Sequence, residues 1–151
     1  MPDLIICDTS CLILFHKLNK LSLLNKLYNY IYITPVIEKE FGLDLPDWVN
    51  ISQPSNIPLI QTLSQIIDEG EASAIALSFE VPGSLLVLDD LKARSVAKSL
   101  NLKITGSLGI LIKLKQQGYV TSLKPILEEV QQTDFRISDN IIKKILSIAG
   151  E

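Results

Sequence analysis

Two short apolar runs, each closed by acids, constrain this chain more than any other feature. Leu4-Ile5-Ile6-Cys7 runs into Asp8, and Leu85-Leu86-Val87-Leu88 runs into Asp89-Asp90. The run over 85–88 has no polar alternation, as expected of a central parallel strand covered on both faces. A chain that must cover such strands twice over needs helices on both sides of a sheet. In open parallel sheets, ligands gather at the carboxyl ends of the strands, which is where these acids stand.

The rest of the sequence supplies the helices. After Asp8-Thr9-Ser10, a turn and N-cap signal, residues 12–18 carry apolar side chains at helical spacing. Ser22 offers a cap for a short helix through Tyr28. Tyr30–Ile33 is aromatic and β-branched and reads as a second strand. Thr34-Pro35 opens a helix through Phe41, with Pro in the first helical position and Gly42 beyond the end. Residues 44–58 are the least regular, with Pro46, Pro54 and Pro58, and hold one short strand over 48–51. Helices are expected over 59–67 and, after a break at Asp68-Glu69-Gly70, over 71–79. The second is dense in small residues (Ala72, Ala74, Ala76), which suits close packing in the middle of the fold. A helix over 90–100, a strand over 102–105 and helices over 107–117, 123–132 and 138–148 complete the pattern. No repeat or linker divides the chain, so residues 1–151 are read as a single α/β domain of three layers, α/β/α, with a mostly parallel central sheet.

Composition excludes several classes. With 151 residues, 47% of them hydrophobic, the chain suits one globular domain with a real core. No apolar run approaches the ~20 residues of a membrane span. The start of the chain lacks the pattern of a secretory leader. Cys7 and Cys11, with His16 as the one nearby histidine, lack the fourth ligand of an ordinary zinc site. They read as buried free thiols in a reducing cytoplasm. The net charge of −3 argues mildly against a nucleic-acid partner. Its distribution argues the other way. Between Leu91 and Leu127 there is no acid, while Lys92, Arg94, Lys98, Lys103, Lys113, Lys115 and Lys124 all fall there. Such a stretch serves either as solvated helix faces or as a phosphate-tracking surface.

If the strands over 4–7 and 85–88 lie centrally and in parallel, Asp8 and Asp89-Asp90 emerge at one sheet edge. Glu40 and Glu71 can reach that edge from their helices. Clustered carboxylates repel one another and hold protons unless a cation is present. Hard divalent cations take oxygen ligands, so the constellation predicts a Mg²⁺ or Mn²⁺ site. All of these acids but Glu40 also have a simpler reading. Asp8 and Asp89-Asp90 can serve as N-caps, and Glu71 can favour the positive end of its helix.

The residues resemble a known family. Ile5-Ile6-Cys7-Asp8-Thr9-Ser10, Thr34-Pro35-Val36-Ile37-Glu38-Lys39-Glu40-Phe41, the run from Asp68 to Leu77, the run from Leu86 to Arg94, and Thr105-Gly106-Ser107-Leu108-Gly109-Ile110-Leu111 follow one another in order over nearly the whole chain. This set resembles the PIN domain of VapC-like toxin ribonucleases. More narrowly, it is similar to a PIN-like prokaryotic subgroup that carries the label of a domain of unknown function. Asp8, Glu40, Glu71 and Asp90 match the family's four acids, with Asp89 as a neighbour able to share the role. Ala93 departs from the subgroup, which tends to have Gly before the Arg.

The resemblance implies an endoribonuclease dependent on Mg²⁺ or Mn²⁺. Asp8, Glu71 and Asp90, with Asp89, would hold the metal, and Glu40 would orient water. Thr9, Ser10, Lys92, Arg94 and Ser107 would bind the substrate, a single-stranded RNA. It further implies a cytoplasmic homodimer restrained by a small antitoxin. The alternative is a PIN-like RNA- or protein-binding module with weak or no catalysis. Two other acid-bearing α/β classes fit less well. A phosphoacceptor receiver domain needs a Lys after a late strand, where this chain has Gly106-Ser107, and a haloacid-dehalogenase-type phosphatase needs a second acid where it has Ser10.

Overall fold

The computed structural model describes residues 3–151. Five strands form one sheet, and every pairing in it is parallel. In chain order the elements are β1 (Leu4–Cys7), α1 (Thr9–Lys17), α2 (Leu21–Leu27), β2 (Tyr30–Ile33), α3 (Pro35–Phe41), β3 (Val49–Ile51) and α4 (Ile57–Leu63). There follow α5 (Glu69–Glu80), β4 (Leu85–Val87), α6 (Leu91–Ser99), β5 (Ile104–Thr105), α7 (Ser107–Gln116), α8 (Lys124–Gln131) and α9 (Asp139–Ile148). This is the three-layer α/β/α arrangement expected from the sequence, with nine helices among the described residues around the sheet.

The sheet order is β3-β2-β1-β4-β5. The chain builds outward from β1 in one direction, then returns to start again at β4 on its other side. The order reverses between β1 and β4, where Ile5 pairs with Leu85 and Cys7 with Val87. At such a switch point the connections leave in opposite directions and open a crevice at the strand ends. Ile5, Ile6, Cys7, Leu86, Val87 and Leu88 are fully buried, so the apolar runs are the centre of the core. Cys7 and Cys11 are both buried free thiols, and the exposed His16 instead sets its ring edge-on against Phe41, 5.7 Å between centroids.

The Ala-rich helix α5 packs on β1, β4, α3, α4 and α6. Ala72, Ala74 and Ala76 are wholly buried, and their small side chains allow this close approach. A buried relay then ties α3 to the start of α5. Ser73 donates to the Gly70 carbonyl at 2.7 Å, which commits its single proton. Thr34 must therefore donate to Ser73, also at 2.7 Å, while its own oxygen accepts from Ile37 N–H and caps α3. Gly42 closes α3 in the left-handed region at φ 72°.

Several element ends differ from the sequence reading. Helix α1 begins at Thr9 because Asp8 caps it directly. Helix α2 begins at Leu21, and Ser22 lies inside its first turn instead of capping it. Asn56 caps α4, which starts at Ile57, tolerates Pro58 in its first turn and gives way to turns after Leu63. The supposed break at 68–70 is the start of α5. Asp68 and Glu71 form a capping box, each side chain meeting the other's backbone. Strand β5 is shorter than expected, covering only Ile104 and Thr105. On α9, only Ile145 is fully buried, while Ile141 and Ile148 face outward.

Candidate active site at the strand ends

Asp8 lies at the end of β1 and is buried, with 3% of its surface exposed. Both its oxygens are held. Oδ1 accepts from Cys11 N–H at 3.0 Å as the cap of α1. Oδ2 accepts from Asp89 N–H at 3.1 Å, across the switch point. The capping reading of Asp8 is thus correct, and it accounts for one oxygen only.

Ser10 joins the two strand-end acids. Its hydroxyl lies 3.1 Å from Asp8 Oδ2 and 2.9 Å from Asp89 Oδ2, but it has one proton to give. Asp89 is clamped from its other side by Ser107. The Ser107 N–H donates to Oδ1 at 2.7 Å and the Ser107 hydroxyl to Oδ2 at 2.6 Å. Ser107 is itself fully buried, so both of its polar groups are spent on fixing Asp89. Two carboxylates thus face one another with too few protons between them. Burial, then repulsion from Asp89, pushes the Asp8 carboxyl up to about 7.

Glu40 and Glu71 approach from the helices. Thr9 donates its hydroxyl to Glu40 Oε1. The Glu40 carboxylate lies where a Cβ on residue 70 would stand, so Gly70 is what leaves room for Glu40 in this position. Glu71 is half-buried, and its Oε1 accepts from Asp68 N–H at 3.2 Å. Burial, with Asp90, Asp68 and Glu40 adding repulsion, raises it to about 7 against that bond. Asp90 caps α6 by accepting from Ala93 N–H at 3.0 Å and is exposed. Lys92 is exposed on α6. Arg94 is half-buried and donates to the Leu88 carbonyl at 2.9 Å. Elsewhere in the acid-free stretch, Lys115 pairs with Glu151 at 3.0 Å, and Lys103 borders a separate depression with Gly83 and Asn101.

The four acids line two adjoining depressions at the strand ends, which share Ser10, Asp68 and Glu71. Asp8, Glu40 and Glu71 line one of about 400 Å³, with Thr9, Ser10 and Asp68. Glu71, Asp89 and Asp90 line the next, again with Ser10 and Asp68. Among the described residues, no three acids converge as a ready-made ligand set for a metal ion. The reason is visible in the bonds: Asp8, Asp89, Asp90 and Glu71 are each turned toward a backbone N–H. The donor chemistry nevertheless fits a hard dication, since every candidate ligand is a carboxylate oxygen and two of them are held up near neutrality.

Sequence reasoning missed part of this surface. Asp68 lines both depressions, and the D-x-x-E spacing of a capping box was the signal for it. Asp134, Phe135 and Arg136, from the α8–α9 connection, line the second depression, and no local signal announces them.

The family model DUF3368, described as a PIN domain, matches residues 4–151. Comparison with curated proteins returns no match. No helix among the described residues is long and apolar enough to cross a membrane. With the match spanning nearly the whole chain, and with acids gathered at the carboxyl edge of a parallel sheet, the chain belongs to the PIN-domain family, a fold of the nuclease type.

Proposed function

We propose that this chain is a divalent-metal-dependent endoribonuclease that hydrolyses phosphodiesters of single-stranded RNA, as VapC-like toxins do. The observation that carries the reading is the Asp8–Ser10–Asp89 bridge at the switch point, with Glu40 and Glu71 lining the same cleft. Burying Asp8 beside Asp89 costs free energy that a stabilising role does not require and a bound dication offsets.

Asp8, Glu71 and Asp90, with Asp89, are the residues that would hold Mg²⁺ or Mn²⁺. When bound, such an ion supplies Lewis acidity against the charge that builds on the phosphate. The chain's own groups do the positioning. Ser10 and Ser107 hold Asp89 in place. Thr9 orients Glu40, and Glu40 in turn orients the attacking water. Lys92 and Arg94 take phosphates of the RNA backbone, whose neutralisation supplies most sequence-independent affinity. The same reading has the protein act in the cytoplasm as a homodimer restrained by a small antitoxin, and the outward Ile141 and Ile148 of α9 offer a partner face.

The test is incubation of purified protein with single-stranded RNA in Mg²⁺, Mn²⁺ or EDTA. Cleavage should need the metal and should vanish in Asp8→Asn and Asp90→Asn while both variants stay folded. Equal cleavage by wild type and Asp8→Asn would sink the proposal. A second reading, a binding module without catalysis, is favoured by the lack of a converged acid triad among the described residues. It requires RNA or protein binding with no Asp8-dependent metal affinity.

A further inference from the structure

A groove of about 480 Å³ opens beside Asp89 and is lined by Arg94, Arg136, Phe135, Leu91 and Ile141. It shares Asp89, Phe135 and Arg136 with the depression of Glu71 and Asp90, so groove and acidic cleft are continuous. The chain has two arginines, and both stand here.

The arginines are placed differently. Arg94 is anchored, with Nη1 on the Leu88 carbonyl and 2.8 Å from where a Cβ on residue 106 would stand. Gly106 is therefore what leaves room for the guanidinium at the groove floor. Arg136 is exposed and enters no ion pair among the described residues. Around them the lining is apolar where water would ordinarily select against it. Leu91 is 83% exposed and Ile141 46% exposed. Phe135, half-buried, borders both the groove and the acids.

Guanidinium groups beside an aromatic ring and apolar side chains match the two halves of a nucleotide. A guanidinium fork suits a phosphate, and a π-face suits an unpaired base. The volume falls in the ~300–1,000 Å³ class of sites for molecules of that size. We propose that this groove is the subsite for the nucleotide adjoining the phosphate that is cut, with Arg94 and Arg136 on its phosphate and Phe135 stacked on its base. The inference rests on the reading of the acidic cleft as an RNA-cleaving site, and it adds the residues that hold the strand next to that cleft. It also assigns a role to the connection between α8 and α9, which lies outside the sequence segments that carry the resemblance.

The experiment is fluorescence anisotropy of a labelled single-stranded oligoribonucleotide in EDTA, so that binding is read without cleavage. Wild type, Arg136→Ala and Phe135→Ala are compared over a salt series, with far-UV circular dichroism to check folding. Each variant should bind about five- to tenfold more weakly at ~0.1 M salt. Arg136→Ala should also lower the slope of log affinity against log salt by about 0.7, while Phe135→Ala leaves it unchanged. Wild-type affinity in Arg136→Ala overturns the proposal, and that variant alone decides if Phe135→Ala fails to fold. The two readings fail separately. A wild type that binds RNA through Arg136 but never cleaves it ends the nuclease reading and leaves the groove as a nucleotide-binding site only. A cleaving enzyme indifferent to Arg136 ends this one alone. A wild type that binds no RNA ends both.

Discussion

Removing metal and raising pH should destabilise this protein, because Asp8 is buried against a second carboxylate. In the unfolded chain Asp8 titrates near 3.8, whereas in the folded chain burial and Asp89 push it to about 7. Between these values the folded state keeps a proton that the unfolded state has lost. Unfolding free energy then falls as pH rises, by up to about 1.4 kcal/mol per pH unit. Over the window from about pH 5 to about pH 7 the loss from Asp8 amounts to about 2–3 kcal/mol. Glu71 shifts in the same direction, but it is half-exposed and solvent screens its contribution. The assay is urea denaturation in EDTA at several pH values across the window, repeated with Mn²⁺. A dication that binds the folded state alone adds about 2.7 kcal/mol at a hundredfold excess over its Kd, and most of it where the carboxylates are ionised. The metal-free slope should shrink sharply in Asp8→Asn, which has nothing to titrate at that position, leaving only the screened contribution of Glu71. A metal-free stability that is flat or rising across the window would refute the reasoning.

Three further outcomes follow from single contacts. Gly70→Ala places a Cβ in the Glu40 carboxylate. The flexible end of Glu40 can move away, so stability should hold or rise by up to ~1 kcal/mol from helix propensity, while RNA cleavage falls roughly tenfold. Ser107→Ala removes the 2.6 Å bond to Asp89 from a buried position and should cost about 2 kcal/mol in urea unfolding. Ala74→Leu overfills a fully buried position on α5, a helix packed on the sheet and on its neighbouring helices, and should cost about 1–3 kcal/mol in the same assay.

The frame of the molecule was legible because its signals are local and redundant. The runs over 4–7 and 85–88 are apolar throughout, and Tyr30–Ile33 and Pro35–Phe41 carry their own start and stop residues, so the structure returns them within a residue. Parallel pairing then had to bring Asp8 and Asp89 to one edge. Finer placement depended on tertiary contacts. Asp68-Glu69-Gly70 looked like a helix break because Gly has low helix propensity, but the capping box and the space needed by Glu40 place that Gly inside α5. Which of Asp89 and Asp90 faces Asp8 turns on Ser10 and Ser107, which are remote in sequence from each other. Arg136 comes to the cleft through the tertiary placement of the α8–α9 connection, and its neighbours in sequence carry no motif. The helix starts likewise turn Asp8, Glu71 and Asp90 each toward a backbone N–H, a detail that local sequence does not orient.

Manganese titration followed by electron paramagnetic resonance tests the central claim most directly. Wild-type protein should take up Mn²⁺ saturably at neutral pH, and Asp8→Asn, still folded, should lose that uptake. Equal uptake by both proteins, or none by either, would contradict a metal site built on Asp8.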